Sequence, residues 1–288
     1  MRARRGLIVA VLTLCTVLGS ALTASASVPR LDYVALGDSY TAGPLIPLPR
    51  FDPFGCFRST SNYPAQLAAR LKVRSYVDVS CSGADTGDMT APQSISLGSN
   101  PPQLDALRES TDLVTLGIGG NDYGVFGSII GTCPGLRESD PTGNPCQRHF
   151  TVDGVDTLKA AIARTQDNIT KVLAEIHARA PHAKVLAIGY PRIAPPSGTC
   201  PDILPFADGD YAWLNSVEEA LNDAVAGAVA DDGDASYVDT FTPSRGHDAC
   251  AAEPWINGKD TKLYAAASYH PFFAGMAGVA GIIYEKLR

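Results

Sequence analysis

The chain has 288 residues, 45% of them apolar, with 23 Lys+Arg against 30 Asp+Glu and 7 cysteines. That length suits one domain with a full-sized core. The acidic balance argues against nucleic acid as a partner, because binding it depends on Lys and Arg neutralising phosphate, and it disfavours firm docking on an anionic membrane.

The first element is one to be removed. Arg2, Arg4 and Arg5 precede an apolar run from Leu7 to Leu18, and Ala24-Ser25-Ala26 follows with small residues at the spacing signal peptidase accepts. The run falls short of the roughly 20 residues a bilayer-spanning helix needs. Residues 1–26 are therefore expected to be a cleaved signal peptide, and 27–288 a single secreted, monomeric domain with no membrane anchor. Arg4-Arg5 leaves a twin-arginine export route open beside the general one. Cleavage takes the 23 basic side chains to 20 against 30 acidic ones, a net charge of −10 with His neutral.

Past the leader, short apolar runs alternate with helical periodicity. Residues 32–36 read as a strand ending at Gly37, 63–71 as a helix, 75–81 as a strand and 112–118 as a buried strand running into Gly119-Gly120-Asn121-Asp122. Apolar residues from 155 to 176 recur at the 3.6-residue helical period. A strand over 184–191 is stopped by Pro191, a helix over 211–229 by the turn-rich Asp231–Asp234, and a fifth strand and a last helix occupy 235–241 and 275–287. This alternation predicts an α/β fold: a three-layer α/β/α sandwich with a central, mostly parallel five-stranded sheet. The stretches 43–62 and 124–150, rich in Pro, Gly and Ser, read as irregular loops stapled by cysteine.

With Cys15 in the leader, Cys56, Cys81, Cys133, Cys146, Cys200 and Cys250 remain, an even number that implies disulfides in an exported chain. Six cysteines allow fifteen pairings, of which the sequential one is simplest. A zinc site is the rival reading, but the sequence has no Cys-x-x-Cys and no matching His pair.

In an open parallel sheet, ligands sit at the carboxyl ends of the strands. Ser39 lies just past the first strand, Gly83 just past the second and Asn121 just past the third, and His270 lies in the last loop. Each has a plain reading. Asp38-Ser39 and Asn121-Asp122 can be helix caps, Gly83 a turn, and His270 one of five histidines; His149, His177, His182 and His247 are taken as surface. Together they supply a nucleophile, a backbone donor, an amide donor and a base.

The segments Gly37–Gly43 (GDSYTAG), Ser82–Thr86 (SGADT), Gly119–Asp122 (GGND) and Tyr269–Pro271 (YHP), in this order, resemble the SGNH hydrolases, also called the GDSL esterase/lipase family. The resemblance runs through nearly the whole mature chain and is nearest to the secreted actinomycete lipase and phospholipase A1 branch. It implies a flavodoxin-like SGNH fold, Ser39 as nucleophile and His270 as base. It also implies an oxyanion hole from the Ser39 and Gly83 N–H groups and the Asn121 amide, disulfides 56–81, 133–146 and 200–250, and no cofactor or metal. Such a site activates a serine hydroxyl by removing its proton as it attacks, and holds the resulting oxyanion with fixed donors.

One feature departs from the family pattern Asp-x-x-His: position 267 is Ala. A lost activity, which would leave a secreted binding protein, sits badly with the retained Ser, Gly, Asn and His. A distant carboxylate such as Asp248 or Asp260 is a second answer. The preferred one is the backbone carbonyl of Ser268, which as a pure acceptor would fix the tautomer and orientation of His270.

The substrate signal is apolar. Leu45, Ile46, Leu48, Phe51 and Phe54 crowd the loop after the nucleophile, and Val125, Phe126, Ile129 and Ile130 follow Asn121. An apolar patch beside a site marks an acyl-chain groove. That favours lipid acyl esters over short-acyl or acetylated carbohydrate esters. Arg50 and Arg58, the only loop cations there, read as solvated charges.

Overall fold

The computed structural model describes residues 30–288, so the leader expected over 1–26 and the start of the mature chain lie outside the described residues. Five strands, β1 (Asp32–Gly37), β2 (Ser75–Asp78), β3 (Leu113–Gly117), β4 (Lys184–Ile188) and β5 (Ser236–Val238), form one sheet in the order β2-β1-β3-β4-β5. Every pairing is parallel. The helices are α1 (Ser39–Ala42), α2 (Tyr63–Leu71), α3 (Val125–Ser139), α4 (Pro145–Phe150), α5 (Thr157–Arg179), α6 (Tyr211–Asp232) and α7 (Phe273–Leu287).

Successive strand residues point to opposite faces, and the core divides accordingly. Tyr33, Ala35, Leu113, Leu186 and Ile188 pack with Leu67 of α2 and with Met276, Val279 and Ile283 of α7. Their neighbours Val34, Leu36, Val114, Leu116, Val185 and Ala187 pack with α5 and α6 through side chains such as Ile169, Leu173, Leu221 and Val225. The chain is thus the expected three-layer sandwich. Each Leu or Ile fully withdrawn from water contributes roughly 1.5–3 kcal/mol.

Local chemistry sets the ends of the elements. Asn62 caps α2 by accepting from the Ala65 N–H at 3.1 Å, and Asp156 caps α5 by accepting from Leu158 and Lys159. Strand β2 stops at Asp78, three residues short of the pattern. The buried Asp78 carboxylate accepts from the Ser80 N–H and hydroxyl at 3.0 and 2.6 Å and from Asn62 Nδ2 at 2.8 Å. The chain nevertheless keeps alongside β1 beyond Asp78, the Val79 and Cys81 N–H groups donating to the Ala35 and Gly37 carbonyls at 3.0 and 2.9 Å, and Cys81 is bonded to Cys56.

The stretch 124–150 departs from expectation. Instead of an irregular loop it holds α3 and α4, joined by the Cys133–Cys146 disulfide. Val125, Ile129 and Cys133, spaced four apart, bury one face of α3. The helix carries Pro134 inside it and glycines at 127, 131 and 135, which mask that spacing in the sequence. Cys200–Cys250 closes the third bridge.

Candidate active site

Strand β1 has β2 on one side and β3 on the other, so its carboxyl end is a topological switch point, where open α/β sheets place their ligands. The turn there is held from outside: the Gln103 amide accepts from the Gly37 N–H at 2.8 Å and donates to the Gly37 carbonyl at 2.9 Å. Only glycine fits, since a Cβ at 37 would lie 2.2 Å from Thr41 Oγ1 and 2.5 Å from the Gly117 carbonyl oxygen. Asp38 then caps α1, accepting from the Tyr40 N–H at 2.8 Å. The capping role falls to Asp38, which leaves Ser39 in the first turn, where backbone N–H groups have no intrahelical acceptor.

Beyond β2, Gly83 has φ +80, a left-handed conformation that glycine takes without strain. Beyond β3, the Asn121 side chain donates through Nδ2 to the Ala84 carbonyl at 2.9 Å. An amide nitrogen carries two hydrogens, so this bond orients the group and leaves the second hydrogen for a ligand. Ahead of α7, His270 Nδ1 lies 2.7 Å from the Ser268 carbonyl oxygen. The two carboxylates weighed as partners are engaged elsewhere: Asp248 accepts from the Cys250 N–H and Asp260 pairs with Lys259.

Ser39, Gly83, Asn121 and His270 line a single cavity of about 390 Å³. Most of its remaining wall is apolar, built by Pro44, Leu45, Phe57, Phe126 and Ile130. Of the apolar residues singled out in the sequence, Ile46 and Ile129 instead go into the core, while Leu48, Phe51 and Phe54 stay exposed, Phe51 and Phe54 stacked on each other at 5.5 Å. Arg58 is not a solvated charge. It is 3% exposed and donates to the Asp78 carbonyl and to Asn100, while Arg50 pairs with Asp52 and Asp78.

Burial sets the electrostatics. It holds the His270 imidazole below its usual 6.5, with the Ser268 carbonyl pulling the other way. It pushes the Asp38 carboxyl up to about 7, against hydrogen bonds from Tyr190 and Tyr40.

Sequence reasoning missed that Tyr190. It stands just past β4, its hydroxyl donating to Asp38 Oδ2 at 2.5 Å and accepting from the Gly120 N–H at 2.9 Å. Its place at the carboxyl end of a central strand was the available signal. Asn257 was missed as well. Buried to 1% exposure, it donates to the carbonyls of Ala266 and Ala267 at 3.3 and 3.0 Å, bracing the chain just before Ser268.

Residues 35–277 match the model of the GDSL-like Lipase/Acylhydrolase family. The chain is 43% identical over 231 residues to Lipase 2 of Streptomyces coelicolor, covering 78% of this chain and 74% of that one. Its structure is similar to that of phospholipase A1 from Streptomyces albidoflavus NA297, with TM-score 0.75 and 30% identity over 89% of this chain and 99% of the other. It is also similar to an extracellular lipase from Streptomyces rimosus, with TM-score 0.68 and 29% identity at the same coverages of 89% and 99%.

Proposed function

Because the chain belongs to the GDSL-like lipase/acylhydrolase family, it is a carboxylic ester hydrolase of the lipase/esterase type, and we propose that it cleaves lipid acyl esters through an acyl-enzyme on Ser39 with His270 as base. The observation that carries this reading is the convergence of Ser39, Gly83, Asn121 and His270 on one apolar-walled cavity.

His270 Nε2 takes the Ser39 proton as Oγ attacks the acyl carbonyl carbon. The carbonyl oxygen becomes an oxyanion and receives hydrogen bonds from the Ser39 and Gly83 N–H groups and from the free hydrogen of Asn121 Nδ2. As the tetrahedral intermediate collapses, the C–O bond to the alcohol breaks and His270 gives the leaving oxygen its proton. A water, deprotonated by His270, then attacks the acyl-enzyme and releases the acid with Ser39 restored. Throughout, the Ser268 carbonyl holds Nδ1 protonated, so that Nε2 is the nitrogen that takes and returns the proton.

The acyl chain lies against Leu45, Phe57, Phe126 and Ile130. A wall of this kind suits a hydrocarbon chain and has no row of polar groups to read a sugar. The leader pattern over 1–26, the three disulfides and the likeness to an extracellular lipase support secretion of 27–288 as a single domain.

Initial rates on p-nitrophenyl esters from C2 to C16, wild type beside Ser39→Ala, test the reading. Wild type is expected to prefer medium or long chains, and Ser39→Ala to lose turnover and labelling by a serine-directed phosphonate. Retained turnover in Ser39→Ala removes Ser39 as nucleophile. A C2 optimum removes the lipid substrate.

A further inference from the structure

A carbonyl orients an imidazole only as firmly as the chain holds the carbonyl. Ser268 and His270 sit on the long connection between β5 and α7, and Tyr269 between them is left-handed, with φ +60. A residue with a side chain keeps that conformation only where its surroundings impose it. Two contacts do so. The Tyr269 N–H donates to the Gly258 carbonyl at 2.9 Å, and the Tyr269 carbonyl accepts from the Tyr40 hydroxyl at 2.6 Å.

Tyr40 directly follows Ser39. Its ring also lies against the His270 imidazole, with centroids 5.5 Å apart, and its N–H donates to Asp38 at 2.8 Å. One residue therefore touches the base, the peptide group beside the base's acceptor and the cap of the nucleophile turn. Tyr190 supports it from the other side. Its ring meets that of Tyr40 edge-on at 5.3 Å, and its hydroxyl links Asp38 to the Gly120 N–H, one residue before Asn121. The contacts run Gly120, Tyr190, Asp38, Tyr40, Tyr269, from the oxyanion side through the nucleophile turn to the base.

We propose that Tyr40, through its hydroxyl, is the positioning residue of the base: it anchors the Ser268–His270 turn, and Tyr190 sets Tyr40 in turn. This anchoring supplies the orientation that a carboxylate three residues before the histidine would supply by direct contact. The inference rests on the reading of Ser39 as nucleophile and His270 as base. Burial raises both phenols well above 10, so both hydroxyls stay protonated donors wherever the enzyme works.

The competing account makes Tyr40 a packing residue, and Tyr40→Phe separates the two because it keeps the ring and deletes only the hydroxyl. On soluble p-nitrophenyl butyrate, kcat is expected to fall between about 10- and 100-fold with KM within about twofold, the scale of loss from a misplaced catalytic group. Phosphonate titration run to completion counts competent sites, so a poorly folded preparation shows fewer sites rather than slower ones. The deciding measurement adds the same change to His270→Ala. A hydroxyl that acts through His270 has nothing left to position, so the double variant should be no slower than His270→Ala alone.

An unchanged kcat in Tyr40→Phe overturns the proposal. So does a rise in KM alone, or a double variant slower by the full factor of the single one. If Tyr40→Phe yields no titratable sites, Tyr190→Phe takes its place with the same expected non-additivity. Undiminished activity in His270→Ala would instead overturn the assignment of the base on which the inference rests.

Discussion

His270 Nδ1 and the Ser268 carbonyl oxygen lie 2.7 Å apart, in the place where the family pattern puts an aspartate. In the serine-protease triad, replacing the acid by its amide costs about 10⁴ in turnover because the wrong tautomer results. A carbonyl only accepts, so it fixes the right tautomer, and it lacks only the negative charge that stabilises the imidazolium. The role belongs to the backbone, so Ser268→Ala should keep activity within a few-fold. His270→Ala, by contrast, should lose on the order of 10³-fold or more. Equal losses in the two variants would transfer the role from the carbonyl to the Ser268 hydroxyl.

The pH profile follows from burial. With neutral His270 as the proposed base and its pKa held below 6.5, the acid limb of activity should have its midpoint below that value. Because the unfolded chain takes up this proton first, the histidine's contribution to stability rises with pH through the same window. Asp38 has the opposite sign. Its folded pKa of about 7 stands above the ordinary 3.8, so its contribution is present at low pH and lost as pH rises through 7. Profiles of kcat/KM and thermal midpoint should therefore slope in opposite directions as pH rises towards 7, and Asp38→Asn should flatten the fall in midpoint. An acid limb with its midpoint above 6.5 contradicts the burial of His270.

Asn121 is oriented by its bond to the Ala84 carbonyl, so its second hydrogen is fixed before substrate arrives. Asn121→Ala removes that donor and should lower kcat by about 10²–10³ with little change in KM, since the bond is strongest to the oxyanion. Steady-state kinetics on one ester suffice. A loss carried mainly by KM would make Asn121 a ground-state substrate contact instead.

Much of this site is legible in the sequence because parallel strands deliver short polar segments to one edge of the sheet. Ser39, Gly83 and Asn121 are readable for that reason, His270 through the resemblance carried by Tyr269–Pro271, and the helix over 63–71 is readable to the residue from its cap and apolar spacing. Strand ends are less so: the regular part of β2 ends at Asp78, whose carboxylate meets Asn62 only in the folded chain, while Val79 and Cys81 still bond to β1. Helix α3 is obscured by its glycines and Pro134, although Val125, Ile129 and Cys133 carried the period. Tyr40 and Tyr190 are invisible as a pair with the base. Their bonds to Tyr269 and Asp38 span 229 and 152 residues, so even the strand-end place of Tyr190 does not tell its partners.

Acyl-chain length should be read by the wall at Gly127, a glycine with no positive φ and no close neighbour to require it. Gly127 lines the cavity on α3, and a Cβ built there meets no atom within 4 Å. A side chain can therefore start from position 127 without a clash at Cβ, and in the first turn of α3 leucine should hold the helix at least as well as glycine. Its side chain occupies space open to the acyl group. Displacing two methylenes from apolar contact removes about 1.6 kcal/mol of binding, a little over tenfold. Gly127→Leu should thus lower kcat/KM on C10–C16 esters by about tenfold, leave C2–C4 esters nearly unchanged, and hold or raise the thermal midpoint. An equal loss on short and long esters would mean that the substitution disturbs the nearby Asn121 rather than the groove. No loss on any ester would place the acyl chain away from Gly127, along other lining residues such as Leu45 and Phe57.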